Sequence, residues 1–208
     1  KLKVLDGASM VERTAGTVTT TGSLQPDGSL NTSTTDAVPT MTSDTSPSGV
    51  ASANSTYAPG ALEAWMAFDG ISDSSINDGW FDLAGGTTTG WLQYQFTSSK
   101  IINKYSLVPS WILNASPKDW TIQASNTGAF SGEQVTLDTR TNQTAWSLGV
   151  KNWYSFTNGT AYTYYRINIT LNNGASDLGI CDMQYIEAEN TLKYQAPITA
   201  TTNIPTKA

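Results

Sequence analysis

At 208 residues the chain has length for one sizeable domain plus an arm, or for two small domains. Its net charge is −6 and its 11 Lys and Arg are scattered, so no basic cluster exists to neutralise a nucleic-acid backbone. His is absent and Cys181 stands alone, which excludes an internal disulfide, His-activated nucleophiles and His metal ligands; no apolar run approaches the ~20 residues that span a bilayer.

Only 13% of residues are charged, so polarity comes from Ser, Thr, Asn and Gly. Thr and aromatic residues favour strands while Thr and Asn disfavour helix interiors, and an all-β chain is expected. Residues 1–46 contain no aromatic residue, and Asp6-Gly7 and Asp27-Gly28 mark turns. Val4-Leu5, Met10-Val11 and Thr17-Val18-Thr19 read as short strands with too little apolar surface to close a core. This segment reads as an extended arm, disordered or ordered by docking onto a partner. The tail, 190–208, has the same character and carries Pro197 and Pro205.

Residues 47–189 hold all seven Trp, all five Phe and eight of the nine Tyr, and read as the domain. Ala61–Phe68 is its one helical candidate. After it come period-two runs. Leu92, Tyr94 and Phe96 alternate with Trp91, Gln93 and Gln95; Trp120, Ile122 and Ala124 with Thr121, Gln123 and Ser125; Tyr165, Ile167, Ile169 and Leu171 with Arg166, Asn168 and Thr170. Ile180, Asp182, Gln184 and Ile186 alternate with Cys181, Met183, Tyr185 and Glu187. Turn clusters at Asn126–Gly128, Asn158-Gly159 and Asn172–Gly174 separate the runs, which predicts an antiparallel sandwich. Trp65, Trp91, Trp120 and Tyr165 fit core positions. Cys181, inside a strand, reads as a buried structural Cys. Six Asn-X-Ser/Thr sequons read as chance in so Asn-rich a chain.

Several segments, in order, resemble the discoidin family, also called coagulation-factor C-type domains. They are Ala67-Phe68-Asp69-Gly70, Trp80 after a polar loop, Trp91–Phe96, Pro117–Asn126, Tyr164–Ile169 and a closing Glu187. The resemblance covers 47–189 and implies a jelly-roll-like, galactose-binding-like β-sandwich with loops clustered at one end. Such domains bind and do not catalyse. Residues 39–50 also look like segments that introduce such modules in phage tail and other virion appendage proteins.

In several sugar-binding members of that family a calcium ion sits at the Asp-Gly turn, clamped against the last strand. Calcium takes oxygen ligands, which Asp69, Asp73, Ser75 and Glu187 offer; the other reading is that Asp69 only caps its turn. A saccharide site needs an exposed aromatic ring beside amides on rigid loops. Trp111 and Asn114, Trp80 and Asp82, and Asn172 and Asn173 are the candidates, with packing as the alternative for both Trp. Arg166 reads as a partly buried Arg pairing with a carboxylate. Asp78, Asp82, Asp138 and Glu133 offer no facing pair for glycoside hydrolysis, so no catalytic residue is expected. Loops without apolar spikes ringed by Lys or Arg discount membrane insertion.

The expected function is a carbohydrate-binding, host-attachment module on a virion appendage, recognising cell-surface glycans, with avidity from repeated copies in a homo-oligomer. The alternative is a structural or decoration protein of a virion, its arm threading into neighbouring subunits and its sandwich projecting outward. A secreted or cell-surface setting, as an accessory module of a carbohydrate-degrading enzyme, is the third reading.

Overall fold

The computed structural model describes residues 33–188 apart from 58–60, 77 and 83–86, together with the backbone of four short strands before residue 33. Those four are β1 (Leu2–Asp6), β2 (Ser9–Arg13), β3 (Ser23–Leu24) and β4 (Leu30–Asn31), paired as β1–β2 and β3–β4. β1 and β2 coincide with the strands expected at Val4-Leu5 and Met10-Val11. Thr17–Thr19 and the tail at 190–208 lie outside the described residues.

The rest of the chain adds β5 (Val50–Ala53), β6 (Trp80–Asp82), β7 (Gly90–Lys100), β8 (Ile102–Pro109), β9 (Pro117–Ser125), β10 (Val135–Arg140), β11 (Asn152–Ser155), β12 (Tyr162–Asn172) and β13 (Leu178–Glu187). They form a five-stranded antiparallel sheet, β10-β9-β12-β7-β5, facing a four-stranded one, β11-β8-β13-β6. This is the expected all-β sandwich. Among the described residues there is no α-helix; the helical candidate is a 3-10 turn, Ala64–Phe68. Among the described residues no helix is long and apolar enough to cross a membrane.

Alternation decides which side chains fill the space between the sheets. Leu92, Tyr94 and Phe96 of β7, Trp120 and Ile122 of β9, and Tyr165, Ile167 and Ile169 of β12 point inward and are buried. They meet Tyr105 and Leu107 of β8 and Met183 and Tyr185 of β13. Rings pack edge to face or tilted, as quadrupoles prefer: Tyr94 to Phe96 at 4.9 Å, Phe96 to Tyr165 at 5.9 Å, Tyr165 to Tyr185 at 5.6 Å. Trp120 Nε1 donates to Tyr105 Oη (2.8 Å), which donates to Asp138 (2.9 Å), so this buried polar chain is satisfied.

Three expectations need correction. Trp91 is not a core residue: it shares the outward face with Gln93 and Gln95, because the other face carries three large apolar side chains. The alternation on β13 breaks at a register shift between Ile180 and Asp182, so Ile180, Met183 and Tyr185 share the core. The packed unit also begins before residue 47. Val38 and Met41 are core residues, Ala37 N–H bonds Tyr185 O (2.7 Å), and Tyr185 N–H bonds Asp36 Oδ1 (3.1 Å). β6 covers only the first residues of β13, and the 36–38 segment satisfies its exposed edge further along. Cys181 is buried, as expected.

Candidate functional site

At the sandwich end where β8 passes to β9, three connections converge: 110–116, 141–151 and 173–177. Ser110 N–H bonds Ser116 Oγ and Ala115 N–H bonds Ile112 O, which curls the first into a short 3-10 turn, Leu113–Ala115. Ala175 N–H bonds Asn114 O. The Asn173 amide then ties all three together, donating to Ser116 O, Pro117 O and Gln143 O at 3.0–3.1 Å. Trp146 lies against this junction, buried, its Nε1 bonded to Pro117 O (2.9 Å) and its ring 6.2 Å from that of Trp120. The rim is thus held by backbone bonds and one amide, and its outward side chains are left free.

The outward side chains of Leu113, Asn114 and Thr144, with the buried Trp146 and the Asn173 clamp behind them, line a hollow of about 260 Å3. Leu113 is 38% exposed, and Asn114 and Thr144 are exposed. A second hollow of about 390 Å3 shares Thr144 and Trp146 and continues over Asn142, Lys151, Asn152, Trp153 and Tyr154. Trp153 is 38% exposed, with Lys104 Nζ 4.5 Å and Lys151 Nζ 5.8 Å from its ring centre. Apolar surface beside an exposed amide and hydroxyl, on loops pinned from behind, suits a small polar ligand with apolar faces. No carboxylate lines either hollow, so neither holds a facing acid pair. The Cys181 thiol is pushed up to about 12 by burial and by Asp78, to which it donates (3.3 Å), and offers no nucleophile.

Of the six residues expected to meet a sugar, the structure brings Asn114 and Asn173 to the hollow, Asn173 as the clamp. Trp111 is half-buried, stacked on Phe81 (4.6 Å, 21°) over Leu62, Ala115 and Ala175, and supports the loop from beneath. Trp80 is 0% exposed with Nε1 bonded to Ser55 O (2.8 Å), so its ring presents no face to a ligand. Asp82 is buried too; Asn54, Ser55 and Thr87 donate to its carboxylate. Asn172 is 2% exposed and closes its own turn, donating to Ala175 O and Asp177 O and accepting from Gly174 N–H. Trp80, Asp82 and Asn172 are therefore structural. Leu113, Thr144, Trp146 and Trp153 were not anticipated; Thr144 and Trp146 lie in 141–151, which has no alternation to announce them.

The four expected calcium ligands do not meet. Asp69 accepts from Ile71 N–H and Asp73 from Ser75 N–H, each a local turn bond. Glu187 pairs with Lys100 (2.9 Å) where β13 meets Ile102, five residues, about 16 Å, along the strand from Asp182. Asp69 belongs to the other region: burial pushes its carboxyl up to about 6, with repulsion from Asp78 and Asp182. Among the described residues no three His, Cys, Asp or Glu could share an ion. The set does not fit calcium, which takes six to eight oxygens around one point.

No family model matches the sequence, and no curated protein matches it. Solved structures match the fold. A family 32 carbohydrate-binding module of Clostridium perfringens, in complex with GalNAc-β-1,3-galactose, superposes with a TM-score of 0.54 at 14% identity, covering 66% of this chain and 94% of that one. A chitosan-binding module of a Paenibacillus chitosanase/glucanase gives 0.52 at 23% identity, covering 66% and 94%. An F5/8 type C domain of a Bacteroides fragilis protein gives 0.54 at 15% identity, covering 68% and 92%. At these identities the likeness establishes the fold alone, and the fold is the discoidin, galactose-binding-like sandwich.

Proposed function

We propose that this chain is a non-catalytic carbohydrate-binding module whose loop-end hollow takes a sugar unit of a cell-surface glycan. The observation that carries the reading is the rim itself: an exposed Asn114 amide and Thr144 hydroxyl beside the apolar side chain of Leu113, on loops pinned by Asn173. The amide and hydroxyl suit ring hydroxyls, and Leu113 and the edge of Trp146 suit the apolar C–H face. The fold shared with sugar-binding modules supports it. We read the setting as a virion appendage, on the likeness of residues 39–50 to the segments that introduce such modules there and on the Thr- and Gly-rich composition of 1–46. In that setting the first residues contact neighbouring subunits, and copies in a homo-oligomer multiply a weak single-site affinity.

The test is a glycan array probed with the intact chain and with Asn114→Ala and Leu113→Ala. Each substitution is expected to weaken a captured glycan about fivefold or more with little change in unfolding midpoint, since both side chains point away from the core. An array that stays blank, or binding indifferent to both substitutions, rejects the loop-end site.

A further inference from the structure

On the outward face of the five-stranded sheet, well away from the loop-end hollow, a guanidinium lies between two aromatic rings without a carboxylate partner. Arg166 Cζ is 3.9 Å from the ring centre of Phe130 and 5.6 Å from that of Trp91. Its Nε and Nη2 both donate to Gln123 Oε1 (3.2 and 2.6 Å), which leaves Nη1 unclaimed among the described residues. The expected carboxylate partner is absent: no described Asp or Glu is within ion-pair distance of it. Glu133 is the acid that acts on it through space, and the Glu133 Oε1 accepts from Ser125, Thr127 and the Phe130 N–H. That last bond holds Phe130 at a φ of 47°, a left-handed conformation costly for a bulky residue, with its ring over the guanidinium.

The side chains around the stack are hydroxyls and amides. Ser52, Gln93, Arg166 and Gln123 sit in register across four strands, and Trp91, Asn168 and Thr121 form the adjacent row. Thr121 Oγ1 is shielded yet has no partner among the described residues. Beyond Trp91 the face deepens into a hollow of about 440 Å3 lined by Thr87, Thr89, Asn168 and Thr170. Arg166 to Thr170 spans about 13 Å along β12.

We propose that this face binds a carboxylate-bearing saccharide chain, its carboxylate on the Arg166 Nη1 edge and a sugar ring on Trp91. Charge decides the occupant. A cation with no ion-paired carboxylate among the described residues, acted on by Glu133 only at longer range, matches an isolated carboxylate among neutral hydroxyl-bearing units. A polyphosphate would need a cluster of cations. The amide and hydroxyl rows and the flat Trp91 ring suit sugar hydroxyls and C–H faces. This is a second surface, independent of the loop-end hollow.

The test is titration of the intact chain with tetragalacturonate, its methyl ester and cellotetraose, followed by calorimetry and by the Trp91 indole N–H resonance. Tetragalacturonate is expected to bind and to shift that resonance. Its affinity should fall tenfold or more on esterification of the ligand or in Arg166→Gln, and on Trp91→Ala, while Asn114→Ala leaves it unchanged. Esterification tests the charge in the unaltered protein, so misfolding of a variant cannot mask the result. Absence of binding up to about 10 mM, equal affinity for acid and ester, or a loss in Asn114→Ala equal to that in Arg166→Gln overturns the proposal.

Discussion

Asp36 is expected to make the fold less stable as pH rises from acid to neutral, and Asp36→Asn to remove that dependence. Its Oδ1 accepts N–H bonds from Val38 (3.0 Å) and Tyr185 (3.1 Å), which clamp the 36–38 segment to β13. Burial nevertheless outweighs those bonds and pushes the carboxyl up to about 7, with repulsion from Asp182 adding to it. In the unfolded chain the group returns to about 3.8. A raised carboxyl favours folding fully below pH 3.8 and loses that contribution as pH climbs through 7, because between these values the folded state holds the extra proton. About three pKa units at 1.36 kcal/mol each give about 4 kcal/mol, less what water screens through the exposed part of the side chain. Asn keeps the oxygen that accepts both N–H bonds and cannot ionise. Urea unfolding followed by Trp fluorescence at pH 4.5, 6 and 7.5 reads the effect. The variant should exceed the parent by only about 1 kcal/mol at pH 4.5 and by up to about 4 kcal/mol at pH 7.5. Parallel pH profiles would refute the reasoning, because Asp69, Asp78 and Asp182, raised in the same direction, are present in both proteins.

Trp80→Ala should cost about 3–5 kcal/mol in urea unfolding, since the ring is wholly buried and its N–H bonds Ser55 O; a loss under 1 kcal/mol would contradict the packing. Tyr105→Phe should cost about 1–3 kcal/mol by stranding the buried Trp120 Nε1, visible in the unfolding midpoint and the indole N–H resonance. Lys151→Ala should destabilise more at pH 8 than at pH 5. Lys151 Nζ is 3.2 Å from Asp182 Oδ2, and neither carboxylate oxygen accepts a well-aligned hydrogen bond, so the ionised Asp182 depends on that charge. Equal losses at the two pH values would remove that role. Gly79→Ala should destabilise the approach to β6, because Gly79 has φ 83° and an added Cβ would overlap Ile180 O and Cys181 Cα; a neutral result in thermal unfolding would deny that approach.

Strand existence was legible because alternation survives in the sequence wherever one sheet face is buried: β7, β9 and β12 read correctly as strands. Which face points inward was legible only by counting. On β7 one side offers Leu92, Tyr94 and Phe96 and the other a single Trp among two Gln, and attention to the Trp misplaces it. The β13 irregularity has no signature, since a one-residue shift at Cys181 leaves every neighbour plausible on either side. Residues 36–41 read as arm because they hold no aromatic and no period. Their place depends on two backbone bonds, Ala37 N–H to Tyr185 O and Met41 N–H to Phe68 O, on the Asp36 carboxylate and on the core side chains Val38 and Met41, with Tyr185 nearly 150 positions away.

The ligand-facing residues were harder to read for a physical reason. An Asn in a turn can aim its amide at solvent or at its own backbone, and composition is the same in both cases. Asn114 does the first, Asn172 the second, and Asn173 bridges three loops. Arg166 shows the converse. Its strand position was clear, but a carboxylate partner was inferred from the usual habit of half-buried Arg, and the partner is Gln123. An uncharged acceptor orients the guanidinium without neutralising it, so the charge stays available at the sheet surface. On β12 the inward positions hold the sandwich together through Tyr165, Ile167 and Ile169, while the alternate positions carry the side chains for recognition. Substituting Arg166 or Asn168 should therefore alter binding with little effect on folding, whereas Ile167→Ala should cost about 2–5 kcal/mol in urea unfolding.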